Sequence, residues 1–170
     1  IHEASHLCIA ASTGNLECAR YLLELGADVE AKAPLHEGDA MSPMAHLFCQ
    51  HQFAATTLAL TQLFIAAGAT LHSREILPHN VDDSIPRGLN AMTPLEFTFF
   101  NAYDVTLARA LVELSERTGD AARHLDTAGN LLCALAQGAP HRLRDNTGNH
   151  MRLALWLVAR YAGVRTQIGA

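Results

Sequence analysis

The chain opens on residues that could bind a metal. His2-Glu3-Ala4-Ser5-His6 spells H-E-x-x-H. On one continuous helix this spacing lets two imidazoles hold zinc while the glutamate serves as base. That chemistry needs a long helix and a third ligand. Ser5 is expected to cap the first helix instead, which takes His2 and His6 off a common helix. Ten histidines among 170 residues also make a chance match easy. The residues therefore read as a turn and a helix start, not as a metalloprotease. His46, Cys49 and His51 form a second set. His46 and Cys49 at i, i+3 share a helix face and could supply half a zinc site, but no second pair of ligands follows. Asp82-Asp83 are adjacent carboxylates, which point apart in an extended chain and do not pair for acid–base work. There is no G-x-G-x-x-G, no P-loop and no G-x-S-x-G. The expectation is no catalytic residue, no metal and no cofactor within these residues.

The elements that would position any site are short helices. Leu7, Ala10 and Ala11 follow the i, i+3, i+4 spacing of an amphipathic helix. Gly14-Asn15 breaks that pattern, and a second run carries Leu16, Ala19, Leu22 and Leu23 on one face. Gly26 ends it, where a left-handed C-cap favours glycine. Helices this short are marginal alone in water, so each needs neighbours over its apolar stripe. That is the logic of a repeat array.

Composition agrees with a packed chain. Hydrophobic residues make up 49% and charged residues 17%, enough apolar surface for a core and too little charge for global disorder. A net charge of −5 speaks against a general binder of nucleic acid or anionic membranes. No apolar run reaches the ~18 residues of a membrane span. Cys8, Cys18, Cys49 and Cys133 form no C-x-x-C, which suits free thiols in a reducing, cytoplasmic compartment. The chain starts at Ile1, so a fragment of something longer is expected.

Ser5-His6-Leu7-Cys8-Ile9-Ala10-Ala11 resembles the T-P-L-H-x-A-A start of an ankyrin repeat, and Leu22 to Ala31 resembles its L-L-x-x-G-A-D-V-N-A end. His6 and Cys8 depart from the usual proline and histidine. Such repeats run ~33 residues, a turn plus two helices. Ser42-Pro43-Met44-Ala45 restarts the pattern, and Ala67-Gly68-Ala69-Thr70-Leu71 echoes Leu25 to Val29. Met92-Thr93-Pro94-Leu95 starts a third unit, and Asp126-Thr127-Ala128-Gly129 reads as the turn before a degenerate fourth. The register checks internally. Twenty-six positions separate Ser42 from Gly68 and also Thr93 from Gly119, against 21 from Ser5 to Gly26. Units two and three should share a longer outer helix or a longer turn before it. Met151 to Ala162 reads as a last helix, apolar enough for burial on more than one side.

The resemblance implies an all-α ankyrin-repeat solenoid, a single domain of about four helix-turn-helix repeats. They cover roughly residues 1–32, 39–72, 90–120 and 126–164, with inserted loops at 73–90 and 138–149. The implied function is recognition of a partner protein through finger turns and the concave face of the inner helices. The residues it nominates are Ile9, His46, Gln50, Phe97, Phe100, Asn101 and Gln137, with Arg74, Arg87 and Asn90 on the long finger. Phe97 and Phe100 at i, i+3 would be apolar anchors, or else core beneath the inserted loop. No nucleic acid, membrane or small-molecule cofactor is expected as a partner. The alternative is a substrate-recruiting domain of a larger enzyme, such as a secreted bacterial effector acting in a host cytosol, whose catalytic domain lies outside this chain.

Overall fold

Two copies of the same helix ending organise the first half of the chain. The computed structural model describes residues 3–34, 40–49, 53–76, 91–118, 121–138 and 147–162. Helix α1, Glu3–Ser12, leads through a turn at Gly14 into α2, Leu16–Glu24. Asn15 caps α2, its side chain accepting from the Cys18 N–H at 3.0 Å. At the far end Ala27 N–H donates to the Leu22 carbonyl and Gly26 N–H to that of Leu23, with Gly26 at φ +88°. This is the Schellman pattern, which satisfies two carbonyls that the helix cannot. Helix α4, Ala54–Ala66, ends the same way: Ala69 donates to Phe64 and Gly68 to Ile65, with Gly68 at φ +103°. Val29 and Leu71, the next apolar residues after each glycine, are both buried. A side-chain turn repeats too, since Glu30 N–H donates to Asp28 Oδ1 and His72 N–H to Thr70 Oγ1.

The chain divides into two compact units, Ile1–Pro94 and Leu95–Ala170. In the first, α1 packs on α3, Pro43–Cys49, and α2 packs on α4. Leu7, Ala10 and Ala11 are buried as the i, i+3, i+4 stripe requires, against an α3 whose seven residues are all buried. Each large apolar side chain so covered contributes about 1.5–3 kcal/mol, which helices this short need. Pro43 opens α3 and Pro94 opens α5, where the missing N–H has no partner to lose. Two fingers follow the glycine caps. Ala33 and Met41 exchange both backbone hydrogen bonds, and Glu75–Ile76 (β1) pairs antiparallel with Ala91–Met92 (β2), Glu75 opposite Met92.

The second unit holds α5, Pro94–Asn101, then α6, Val105–Thr118, α7, Ala121–Gly138, and α8, Thr147–Ala162. Asp104 caps α6, accepting from Thr106 and Leu107 N–H at 2.8 and 2.9 Å. Ala108, Leu111, Val112 and Ser115 form the buried stripe of α6. Ala102, after α5, takes a left-handed φ of 47°. Asn149 Nδ2 donates to its carbonyl, and His150 Nε2 lies 3.2 Å from the Phe100 carbonyl, so α8 holds this corner.

Four expectations change. Helix α1 starts at Glu3, so Ser5 lies inside it and is not its cap. No turn interrupts Asp126 to Gly129, because α7 runs through them. Its buried residues Ala128, Leu131, Ala134 and Leu135 keep helical spacing, while exposed Gly129 costs only about 1 kcal/mol. Helix α8 begins at Thr147, inside the stretch expected as a loop to 149. It is also buried on one side only. His150, Leu153 and Leu157 are covered, while Met151, Leu155 and Val158 stay more than half exposed. The longer outer helix is found: α4 has 13 residues and α6 has 14, against nine in α2.

The glycine caps give a clean test. A Cβ added at Gly68 meets nothing within 4 Å, so alanine there costs backbone strain alone. Gly68→Ala should lower the urea unfolding free energy by about 1–2 kcal/mol, the penalty of a left-handed L-residue, with an unchanged circular dichroism spectrum.

Candidate functional site

In the first unit, the base of the fingers is a buried polar knot. Glu75 is 5% exposed, and its Oε2 accepts from the Ser42 N–H at 2.8 Å. Lys32 Nζ lies 3.8 Å from the same oxygen. Ser42 Oγ in turn accepts from Ala45 N–H and caps α3. His46 Nε2 lies 2.8 Å from the Ala33 carbonyl, and a carbonyl only accepts, so Nε2 carries the proton. The Cys8 thiol donates to the Met41 carbonyl at 3.7 Å. Burial pushes the Cys8 thiol up to about 11; the Ala33 backbone pulls it down and the Glu75 carboxylate adds to the rise. Burial and then Glu75 push Cys49 to about 12. A nucleophilic cysteine needs the opposite shift. These thiols are packing groups.

The nominated residues separate by depth. The x position of the repeat, next to the inner helix's buried stripe, is 46% exposed at Ile9, 2% at His46, half-buried at Phe97 and 4% at Ala134. His46 therefore does not look outward. Its ring stitches α3 to the finger base, because a buried imidazole needs a partner and Ala33 supplies it. Phe100, at 5%, is core, in the place that buried Cys49 holds on α3. Asn101 is 3% exposed and turns its Nδ2 back to the Phe97 carbonyl at 3.0 Å. The pairing of Phe97 with Phe100 on one open surface thus fails: one is half-buried and the other covered. Arg74 is exposed beside Glu75, and Gln137 is exposed near the end of α7. Gln50, Arg87 and Asn90 lie outside the described residues, as do His2, His51, Asp82 and Asp83. Among the described residues no three His, Cys, Asp or Glu side chains gather to hold a metal ion.

One cluster escaped the sequence reading. Between α6 and α8, Arg160 grips Glu116 with two nitrogens, Nε to Oε1 at 2.9 Å and Nη2 to Oε2. Tyr161 OH donates to Glu116 Oε1 at 2.7 Å. Burial and this bond to a carboxylate push the Tyr161 phenol well up, and the Glu116 carboxylate raises Arg160. Trp156 has Arg160 5.2 Å and Arg109 5.4 Å from its ring centre. The signal was the lone tryptophan with an arginine one turn on, a pair that helical spacing brings together.

In the first unit, helix pairs stack inner on inner and outer on outer, close with glycine caps and are joined by finger turns, the arrangement of a helical repeat. The ankyrin repeat family model matches residues 6–36, which cover most of α1, all of α2 and the start of the first finger. Residues 6–36 thus carry an ankyrin repeat, and the helical fold of the described residues agrees with an all-α solenoid of such repeats. No curated protein matches the chain. Ankyrin repeats are non-catalytic modules of protein interaction. No helix among the described residues is long and apolar enough to cross a membrane.

Two outcomes follow from the finger base. Glu75→Ala leaves the Ser42 N–H buried without an acceptor and should cost about 1.5–3 kcal/mol in urea unfolding, with Glu75→Gln recovering part of it. The raised thiols favour the folded state fully below pH 9.0, their ordinary value, and that contribution is lost as pH climbs towards about 11–12. The urea midpoint should fall across this window, and less steeply in a Cys8→Ala/Cys49→Ala variant.

Proposed function

We propose that the chain binds a partner protein through the outward positions of its inner helices and through its fingers. Ile9 carries the reading. It is a large aliphatic residue left 46% exposed on a helix whose neighbouring positions 7, 8, 10 and 11 are buried. Its surroundings are hydrogen-bonding but self-satisfied, since the Ser12 and Thr13 hydroxyls both donate to the Ile9 carbonyl. An apolar contact bordered by hydroxyls suits the core and rim of an interface. Within the first unit Arg74 on the finger is the further contact; Phe97 and Gln137 are the corresponding outward positions of the second unit, taken by itself, with Gln50, Arg87 and Asn90 kept as candidates. His46 lies buried in the first unit, and Phe100 and Asn101 in the second. The thiols of Cys18 and Cys133 are exposed, which fits a reducing compartment such as the cytoplasm. The same surface would serve a recruiting role in a larger enzyme, such as a secreted effector, and simple partner binding needs no domain beyond it.

The test is retention of a partner. The chain is immobilised, cell lysate is passed over it, and retained proteins are quantified by mass spectrometry. An Ile9→Glu variant, confirmed as folded by circular dichroism, should lose a retained partner at least tenfold, since an apolar anchor of an interface is worth about 2 kcal/mol or more. Equal retention by parent and variant would rule out the inner-helix surface.

A further inference from the structure

The seam of α6 and α8 holds more positive charge than its own carboxylates answer. Glu116 is taken by Arg160 and Tyr161, and Glu113 faces Arg117 at 4.0 Å. Arg109, half-buried on α6, stacks near Trp156, yet it makes no ion pair among the described residues, and its buried Nε has no hydrogen-bond partner. Arg152 stands exposed one turn before Trp156 on α8 and makes no ion pair among the described residues either. A guanidinium that surrenders part of its hydration against an indole without gaining an acceptor is an unfinished interaction. Arginine's flat fork is matched by a carboxylate, which it can bind through two parallel hydrogen bonds.

We propose that Arg109, beside the Trp156 ring, and Arg152, one turn before Trp156 on α8, form a binding site for the carboxylates of an acidic peptide segment on a partner protein. Trp156 holds Arg109 in place and supplies an apolar wall, and Arg160, locked by Glu116, fixes the indole. The site is separate from the inner-helix surface and does not depend on it. The chain's net charge of −5 makes general attraction of an acidic peptide unfavourable, so binding requires a local basic site.

Trp156 is the only tryptophan in the chain and reports the site directly. A capped hexaglutamate peptide is titrated into the intact chain at low salt while Trp156 emission is followed. The expected result is a saturable change, at least tenfold weaker in Arg109→Gln and in Arg152→Gln, and weakened by added salt. Arg152 is exposed, so its variant keeps the test valid if Arg109→Gln unfolds. A capped hexalysine peptide should give no response. Inorganic phosphate is the second arm: saturation by phosphate without a response to hexaglutamate overturns the proposal in favour of a phosphate site. No saturable response, or an equal one in the Arg152→Gln variant, overturns it as well.

Discussion

A helix of seven to ten residues cannot persist by its own hydrogen bonds, because nucleation fixes several dihedrals before the first bond is gained. That constraint governs the first unit. Helix α3 has seven residues and every one is buried, so it exists through its neighbours. The ends of such helices matter more than their middles. Four orphan groups at each end are a large share of so short an element. The chain answers with proline at the start of α3, a serine hydroxyl on the Ala45 N–H, and glycine caps after α2 and α4. The fingers extend from these ends, so cap chemistry also sets where the fingers leave.

Features bound to backbone geometry could be read from the sequence. Glycine at 26 and 68 and proline at 43 and 94 have few places to sit, and each sits where expected. Spacing left a longer outer helix or a longer turn before it, and the longer helix is what the structure holds. Features that depend on tertiary partners could not be read. Ser5 is a good cap by type, but the helix extends past it to Glu3. Gly129 looks like a turn, yet the stripe from Ala128 to Leu135 outweighs one glycine. His46 and Phe100 follow the helical pattern of groove residues. Their burial comes from a finger carbonyl for one and from core packing for the other. The α6–α8 cluster joins residues more than 40 positions apart, and only Trp156 and Arg160 were near enough in sequence to hint at it.

The polar groups divide by what burial does to them. Cys8 and Cys49 are made less reactive by desolvation and by a nearby carboxylate, and His46 spends its proton on a backbone carbonyl. Residues that looked capable of chemistry are thereby committed to structure. Of the nominated residues, Ile9, Arg74 and Gln137 remain open to solvent.

The two fingers show how one scaffold accepts different polar solutions. Ala33 lies seven residues after Gly26, and Glu75 seven after Gly68, so they hold the same place in successive repeats. Each pairs across its finger, Ala33 with Met41 and Glu75 with Met92. At the first place the side chain is a methyl, and the backbone carbonyl receives His46. At the second the side chain is a carboxylate that reaches back to the Ser42 N–H of the preceding finger. Thr70 N–H adds a tie to Glu30 Oε1 at 3.2 Å between the same repeats. A buried charge is costly unless its hydrogen bonds are made, so Glu75 is tolerated only while both fingers hold their places.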